Sequence, residues 1–395
     1  MNNEYDYIII GSGIVGLSTA YNLLQKNKKL KVLILEKEDK IAYHQTGHNS
    51  GVIHAGVYYK PGSLKSKFCK MGVDATVKFC TKYQIPYEQC GKLIVATNKD
   101  ELTKMFDLEE RCKLNGLKTK ILNKKELIEI EPNILGLGAL KVYDSGITDY
   151  TAISKKISEL IKEYNGKIIF KSEVISINEK NKFVEVKTSK QTFNTKKLIA
   201  CAGLQSDRIA KMSGLKINFQ IIPFRGDYYK INKRLNNIVK HLIYPIPDPR
   251  YSFLGVHLTR MIDGSITVGP NAALNISREN YDKLNFNFKD LIETLKFQGF
   301  WKFILPNFKA GIDETYSSIS KRYYLKLCQK YCPKLELADL EYHPSGIRAQ
   351  AVSNKGELIH DFMIERTNRT IHVCNAPSPA ATSAFPIGKY ISELS

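Results

Sequence analysis

The sequence predicts an α/β protein, α+β overall, in which a Rossmann-like unit is discontinuous in sequence and carries an inserted antiparallel sheet. Three observations predict it. Residues 7–36 read YIII-GSGIVG-LSTAYNLLQKNKKL-KVLILE: an apolar run, a glycine turn, a helical segment, and a second apolar run closing on an acid. Residues 218–270 read as alternating strands between Gly and Pro turns, the pattern of an antiparallel sheet. Residues 370–394 return to a strand, a turn of small residues and a helical segment.

The first stretch binds a dinucleotide by a known physics. Gly11, Gly13 and Gly16 form G-x-G-x-x-G. Gly11 makes the tight turn, Gly13 admits a pyrophosphate to the backbone, and Gly16 lets the helix pack on the strand. The helix opening at Ile14 and Val15 offers N–H groups and a positive dipole end to phosphate. Glu36, twenty-three residues after Gly13, stands where an acid takes the ribose hydroxyls, with Lys37 next to it. An acid there repels the 2′-phosphate of NADP, while the fingerprint alone does not separate FAD from NAD.

Length and composition set the frame. A chain of 395 residues, 43% hydrophobic and 25% charged, should form two globular domains or one large domain with an insert. No run of eighteen apolar residues predicts a spanning helix. MNNEYDY leads straight into the first strand, so no leader is expected and a cytoplasmic location follows. The net charge of +20 favours anionic partners, either acidic small molecules or anionic lipid. Scattered rather than clustered lysines make general composition the first explanation. Peripheral contact with the inner face of the cell membrane is the next, and nucleic acid is not expected. The eight cysteines show no C-x-x-C pair, so they are expected to be reduced and mostly buried, with no metal site. Cys328 and Cys332 sit four apart on one face of an expected helix.

The remaining elements follow in order. Residues 37–63 form a long turn-rich segment holding His44, His48 and His54, three of the eight histidines, followed by Tyr58 and Tyr59. A loop this long beside a nucleotide site is usually functional. Helices are predicted at Leu64–Lys82, Glu101–Asn115, Lys124–Glu131 and Asp149–Tyr164, with strands at Gly91–Ala96 and Gly136–Tyr143. Lys167–Ile177 and Lys182–Thr188 read as a β pair. Lys197–Cys201 runs into Ala202 and Gly203 at a strand's carboxyl end, where such sheets bind ligands. Ser206–Met212 reads as a helix. The inserted strands are FQIIPFRGDYYKI, LIYPIP and FLGVHLTRMIDGSITVGP. Tyr281–Ile304 and Phe308–Tyr331 read as helices whose aromatic residues belong to the core. Ala380–Leu394 closes the chain as a helix.

The distribution resembles the D-amino-acid-oxidase-type FAD-dependent oxidoreductases. Within them, HQTGHNSGVIHAGVYYKPGSLK, IPYEQCGKLIVA, GVHLTR with GSITVGPNA, SGIRAQ and NAPSPAATS are similar to the L-2-hydroxyglutarate dehydrogenase (oxidase) family, from about Tyr7 to the C-terminus. Phe385-Pro386 and the short tail after Gly388 depart from it. The resemblance implies an FAD-binding domain of glutathione-reductase type over 1–82, 140–215 and 340–395, and a substrate domain over 83–139 and 216–339. It implies oxidation of a small dicarboxylate, L-2-hydroxyglutarate, to 2-oxoglutarate, with electrons passing to a membrane acceptor such as quinone or to oxygen. Gly11, Gly13, Gly16 and Glu36 would hold the ADP half, and Ser50, Gly51 and Val52 would approach the isoalloxazine. Val174 would meet the adenine side, Ala202 and Gly203 the pyrophosphate region. Gly346 and Ser378, Pro379, Ala380, Ala381 and Thr382 would close over the flavin.

A dicarboxylate needs fixed cations, and the planar fork of arginine suits a carboxylate. Arg348 is expected to hold one carboxylate, and Arg225 or Arg260 the other. Oxidising an alcohol needs a base for its proton, which a histidine supplies near neutrality. His54 is the first choice and His257 the second. Tyr58 and Tyr59 are expected either to donate to the substrate or to pack. The rival readings are an FAD enzyme for another 2-hydroxy acid, an amino acid or glycerol 3-phosphate, a flavin-bearing nucleic-acid protein, and a non-catalytic FAD scaffold.

Overall fold

A computed structural model describes residues 4–247, 255–282 and 287–395. Its first sheet has eight strands. Glu4–Ile10 lies in its middle, parallel to Val32–Leu35 on one side and to Thr192–Ala200 on the other. Lys167–Ile169 extends the sheet beyond Val32–Leu35, and Thr370–Asn375 joins in parallel along the end of Thr192–Ala200. Ile8, Ile9 and Val32–Leu35 are buried, as parallel strands covered on both faces should be. Helix Ile14–Lys26 covers one face together with Tyr150–Glu163 and Ala384–Leu394. Gly388 sits so close to the first helix that a Cβ there would stand 2.6 Å from the carbonyl carbon of Ser18. The two ends of the chain therefore form one unit.

The second sheet has nine strands. Its long members, Phe219–Ile231 and Leu340–Ser353, pair antiparallel with a bulge between Gly226 and Tyr228. Gly138–Val142 also belongs to this sheet, between Lys92–Ala96 and Thr119–Asn123. The pairing is antiparallel except where Lys92–Ala96 meets Leu242–Pro245 in parallel. A small third sheet joins Val52–Ile53, Gly146–Thr148 and Tyr87–Glu88. The chain is thus the α/β protein with a mixed parallel and antiparallel framework that the sequence predicts.

Several elements differ from their expected form. The strand read as Lys167–Ile177 is two strands, Lys167–Ile169 and Val174–Glu179, and only the second pairs with Val184–Thr188. Between them Lys171 has a φ of 51°. The Lys171 and Ser172 N–H groups there donate to the carbonyls of Glu38 and Glu36. The helix expected from Tyr281 starts at Phe288, capped by the Asn287 side chain, and breaks at Phe297 before Gln298–Ile304. Residues 283–286 of that expected helix, and 253–254 of the expected strand before His257, lie outside the described residues.

Ser320 divides the helix expected over Phe308–Tyr331 into Phe308–Ile319 and Lys321–Gln329. Cys332 therefore lies past the helix end, although it and Cys328 are both buried. The last helix begins at Ala384, because residues 377–383 form turns. The aromatic residues expected in the core divide. Phe300 and Tyr324 are buried, while Trp301 is 45% exposed, Phe308 61% and Tyr316 56%.

Candidate active site

A cavity of about 1410 Å³ runs from the glycine turn of the first sheet to the inner face of the second. It exceeds the usual range for a small-molecule pocket, as a site for a dinucleotide plus a substrate should. Gly11, Gly13, Ile14, Val15, Gly16, Glu36 and Lys37 line one end. Gly11 has a φ of 98°, and a Cβ on it would stand 2.5 Å from the carbonyl oxygen of Cys201. A Cβ on Gly16 would stand 2.1 Å from the oxygen of Gly11. A Cβ on Gly13 would meet only the Thr46 hydroxyl, at 3.4 Å, so this glycine leaves its space to the cavity. Glu36 is fixed at the strand end: its Oε2 accepts from the Ser12 N–H at 2.8 Å and the Ser12 hydroxyl at 2.7 Å. Val174, Ala202 and Gly203 complete this wall. The donor set and the glycine cradle fit the ADP half of FAD.

Beside this end, Glu38, His44 and Glu279 bring ligand atoms within 4.8 Å of one another. The Lys37 ammonium pairs with both carboxylates and so supplies the positive charge there.

The middle of the cavity is made where two distant segments are stapled together. The His54 N–H donates to the Thr382 hydroxyl at 3.1 Å, and that hydroxyl lies 2.8 Å from the Tyr150 hydroxyl. Tyr150 in turn donates to the Val52 carbonyl at 3.1 Å. Thr382 and its neighbours Ser378, Pro379, Ala380 and Ala381 thus face Ser50 and Val52 across one wall. Gly346, on the long strand of the second sheet, closes the same region, where a Cβ would stand 2.6 Å from the His48 carbonyl.

At the far end stand His54, His257, Tyr58, Tyr59, Tyr228, Tyr244 and Arg348. Burial pushes His54 well below the usual histidine range, and the nearby Lys92 and His257 add to the shift. His257 is pushed down to about 3, chiefly by burial, although it bonds the Gly255 carbonyl at 2.9 Å. Its ring stacks on Tyr244 with centroids 3.9 Å apart. Both histidines are therefore neutral at neutral pH. The Tyr58 hydroxyl is buried and has no partner among the described residues. Lys92 places its ammonium 4.0 Å from the centroid of Tyr244 and 5.8 Å from that of Tyr58. It is 1% exposed, and burial lowers it to about 8.

The structure does not bring every expected residue here. Arg225 Nε lies 3.0 Å from Asp227 Oδ1, and its Nη2 donates to the Ser318 hydroxyl at 3.0 Å. Arg260 Nη1 donates to Glu88 Oε1 and to the Lys240 carbonyl, each at 2.8 Å. Neither arginine lines the cavity, because each faces an acid elsewhere. Gly51 also stands off the wall; its φ of 65° serves the turn beside Thr148. Sequence reasoning missed Lys92, Tyr244, Tyr228 and Tyr150. Lys92 left a signal, a lone lysine heading the apolar run GKLIVA, which is buried throughout.

Comparison with known proteins adds a second line of evidence. A family model described as FAD dependent oxidoreductase matches residues 6–394. The L-2-hydroxyglutarate dehydrogenase of Escherichia coli (strain K12) is 50% identical over 388 residues, covering 98% of this chain and 92% of that protein. The protein of that name from Indibacter alkaliphilus is 44% identical, covering 99% and 98%. The mitochondrial one of Caenorhabditis elegans is 41% identical, covering 98% and 92%. Among solved structures, L-alpha-glycerophosphate oxidase of Mycoplasma pneumoniae with FAD bound superposes with a TM-score of 0.81 at 23% identity, covering 99% and 94%. Glycine oxidase of Geobacillus kaustophilus gives 0.76 at 14%, with the same coverages.

Proposed function

The chain belongs to the FAD-dependent oxidoreductase (DAO) family, and from that premise we propose that it oxidises L-2-hydroxyglutarate to 2-oxoglutarate. The observation that carries the reading is the convergence of Arg348, His54, His257 and Tyr58 on one end of a cavity whose other end is the dinucleotide cradle. The names of relatives 40–50% identical along nearly the whole chain support the substrate.

Bound FAD supplies the acceptor for the hydride leaving substrate C2. The protein's own residues do the rest. Arg348 pairs with one carboxylate, where a guanidinium fork fixes orientation as well as charge. Lys92, held against the rings of Tyr58 and Tyr244, supplies positive potential for the other. Tyr58 directs its open hydroxyl to the substrate. His54, neutral at neutral pH, accepts the C2 hydroxyl proton, and the bound dianion stabilises the imidazolium that forms. His257 is the second candidate base.

The proposed division assigns 1–82, 140–215 and 340–395 to FAD and 83–139 and 216–339 to substrate. The proposed acceptor is a membrane-held quinone or oxygen, and the proposed location is the cytoplasm; the quinone calls for a peripheral membrane contact.

The test is anaerobic. The purified yellow protein is mixed separately with L-2-hydroxyglutarate, its D form, L-malate and glycerol 3-phosphate. Bleaching by L-2-hydroxyglutarate alone, with 2-oxoglutarate formed, is the expected result. Reduction by another of these compounds in its place replaces the substrate.

A further inference from the structure

Of three consecutive helices of the insert, Phe288–Lys296, Gln298–Ile304 and Phe308–Ile319, the first and third are built inside out, while the middle one buries Phe300 and Phe303. A surface helix normally turns its apolar stripe to the core and its polar face to water. In the first of these helices the buried residues are Asp290 and Thr294, while Ile292 and Leu295 are 45% and 41% exposed. In the third the buried residues are Ser317 and Ser318. Its Phe308, Ile312, Tyr316 and Ile319, spaced along one helical face, are 61%, 52%, 56% and 77% exposed. The short helix between them adds Trp301 at 45%, followed by Leu305 at 65%. Large apolar side chains exposed in this number on consecutive helices mark an interaction site.

The charges are sorted in the same sense. Three of the four acids on these helices are engaged by the body of the protein. Arg208 Nη2 donates to both Asp290 and Glu293, at 2.6 Å each, and Glu314 accepts from the Ala272 N–H at 2.7 Å. Asp313 is only partly exposed. The cations Lys289, Lys296, Lys302, Lys309 and the neighbouring Arg322 are all exposed, Lys289 at the edge of the cavity. An apolar face with aromatic residues, whose fully exposed charges are all cations, matches a bilayer interface carrying anionic lipid. A protein partner would need a matching apolar face ringed with acids. A second copy of this chain would bring five like-charged side chains against their own kind.

We propose that this helical face docks on an anionic lipid surface, with Ile292, Trp301, Leu305, Phe308, Ile312 and Ile319 entering the headgroup boundary. No helix among the described residues is long and apolar enough to cross a membrane, so the contact lies in the interface plane. The first helix also lines the cavity, through Asp290 and Glu293, which ties the docked face to the flavin site. The inference deepens the acceptor part of the function proposed above and is independent of the substrate.

Trp301 is the only tryptophan in the chain, so the surface carries its own probe. The FAD-loaded protein is floated with vesicles of phosphatidylcholine alone and with vesicles that also contain phosphatidylglycerol. The expected result is flotation with the anionic vesicles, weakened as salt rises from about 0.1 M to about 1 M and shortens the screening length to roughly 3 Å. Trp301 emission should shift to the blue and be quenched by bromine-labelled lipid. The double variant Phe308→Glu/Ile312→Glu should keep its flavin and its hydroxy-acid turnover while flotation falls to background. Flotation that survives in this variant, or an unquenched Trp301 in floated protein, overturns the assignment. Failure to float, with concentration-dependent dimerisation that the variant abolishes, overturns it in favour of self-association. Neither result touches the substrate, which the bleaching assay tests alone.

Discussion

His54 and Lys92 are both displaced by burial, with opposite consequences for pH. A proposed base must be neutral to work. Because His54 is held well below the ordinary histidine value, the acid limb of the flavin-reduction rate should lie below pH 6.5, and stopped-flow rates across pH will locate it. His54→Ala should lower that rate by about 10²–10⁴; an unchanged rate would move the role to His257. Lys92 attracts a dianion only while protonated. With its value lowered to about 8, that attraction is present at neutral pH and is lost as pH rises through about 8. Substrate affinity by flavin titration should weaken over that range, and the dependence should vanish in Lys92→Met. Arg348→Ala should weaken binding roughly ten- to a hundredfold, the worth of about 1.5–3 kcal/mol for a hydrogen bond to a charged group, and leave FAD bound. An unaltered affinity would remove Arg348 from the substrate site.

The glycine turn shows at the element scale how tightly the cradle is drawn. A methyl at Gly16 would overlap the Gly11 carbonyl, so Gly16→Ala should cost about 1–3 kcal/mol in overpacking and yield protein depleted of FAD, read from its visible spectrum. This element was legible in the sequence because its function lies in one contiguous run. Ser206–Met212 was legible to the residue from its spacing. The helices after residue 287 were legible as helices but not in orientation. A stripe of apolar residues at helical spacing reads the same whether it faces core or solvent. What decides is the partner of the polar side, here Arg208 for Asp290, and that contact spans 82 positions. The strand read as Lys167–Ile177 failed for a similar reason, because its break is made by hydrogen bonds to Glu36 and Glu38 far upstream.

At the scale of the whole molecule, long-range pairs join segments that no local pattern connects. Arg278 and Asp207 are each 1% exposed and form a bidentate pair, while Asp207 also accepts from the Ile221 N–H at 3.1 Å. Arg278→Met would leave a buried carboxylate unpaired and should lower stability by about 3–5 kcal/mol, measured as a fall in the denaturant midpoint with an unchanged slope. The same logic explains why, of the three arginines singled out in the sequence, Arg348 lines the cavity while Arg225 and Arg260 face acids elsewhere. Strand alternation tells which side a residue faces but not which acid waits there. One further property emerges from the eight free cysteines, six of them buried and the other two partly so. Burial raises each thiol, with Cys69, Cys112, Cys201, Cys332 and Cys374 up to about 12 and Cys90 to about 11. Peroxides and alkylating reagents attack the thiolate, which is scarce at all these sites near neutrality. The folded protein should therefore age slowly in air despite housing a redox cofactor, and its sulfur chemistry should begin only once the chain opens.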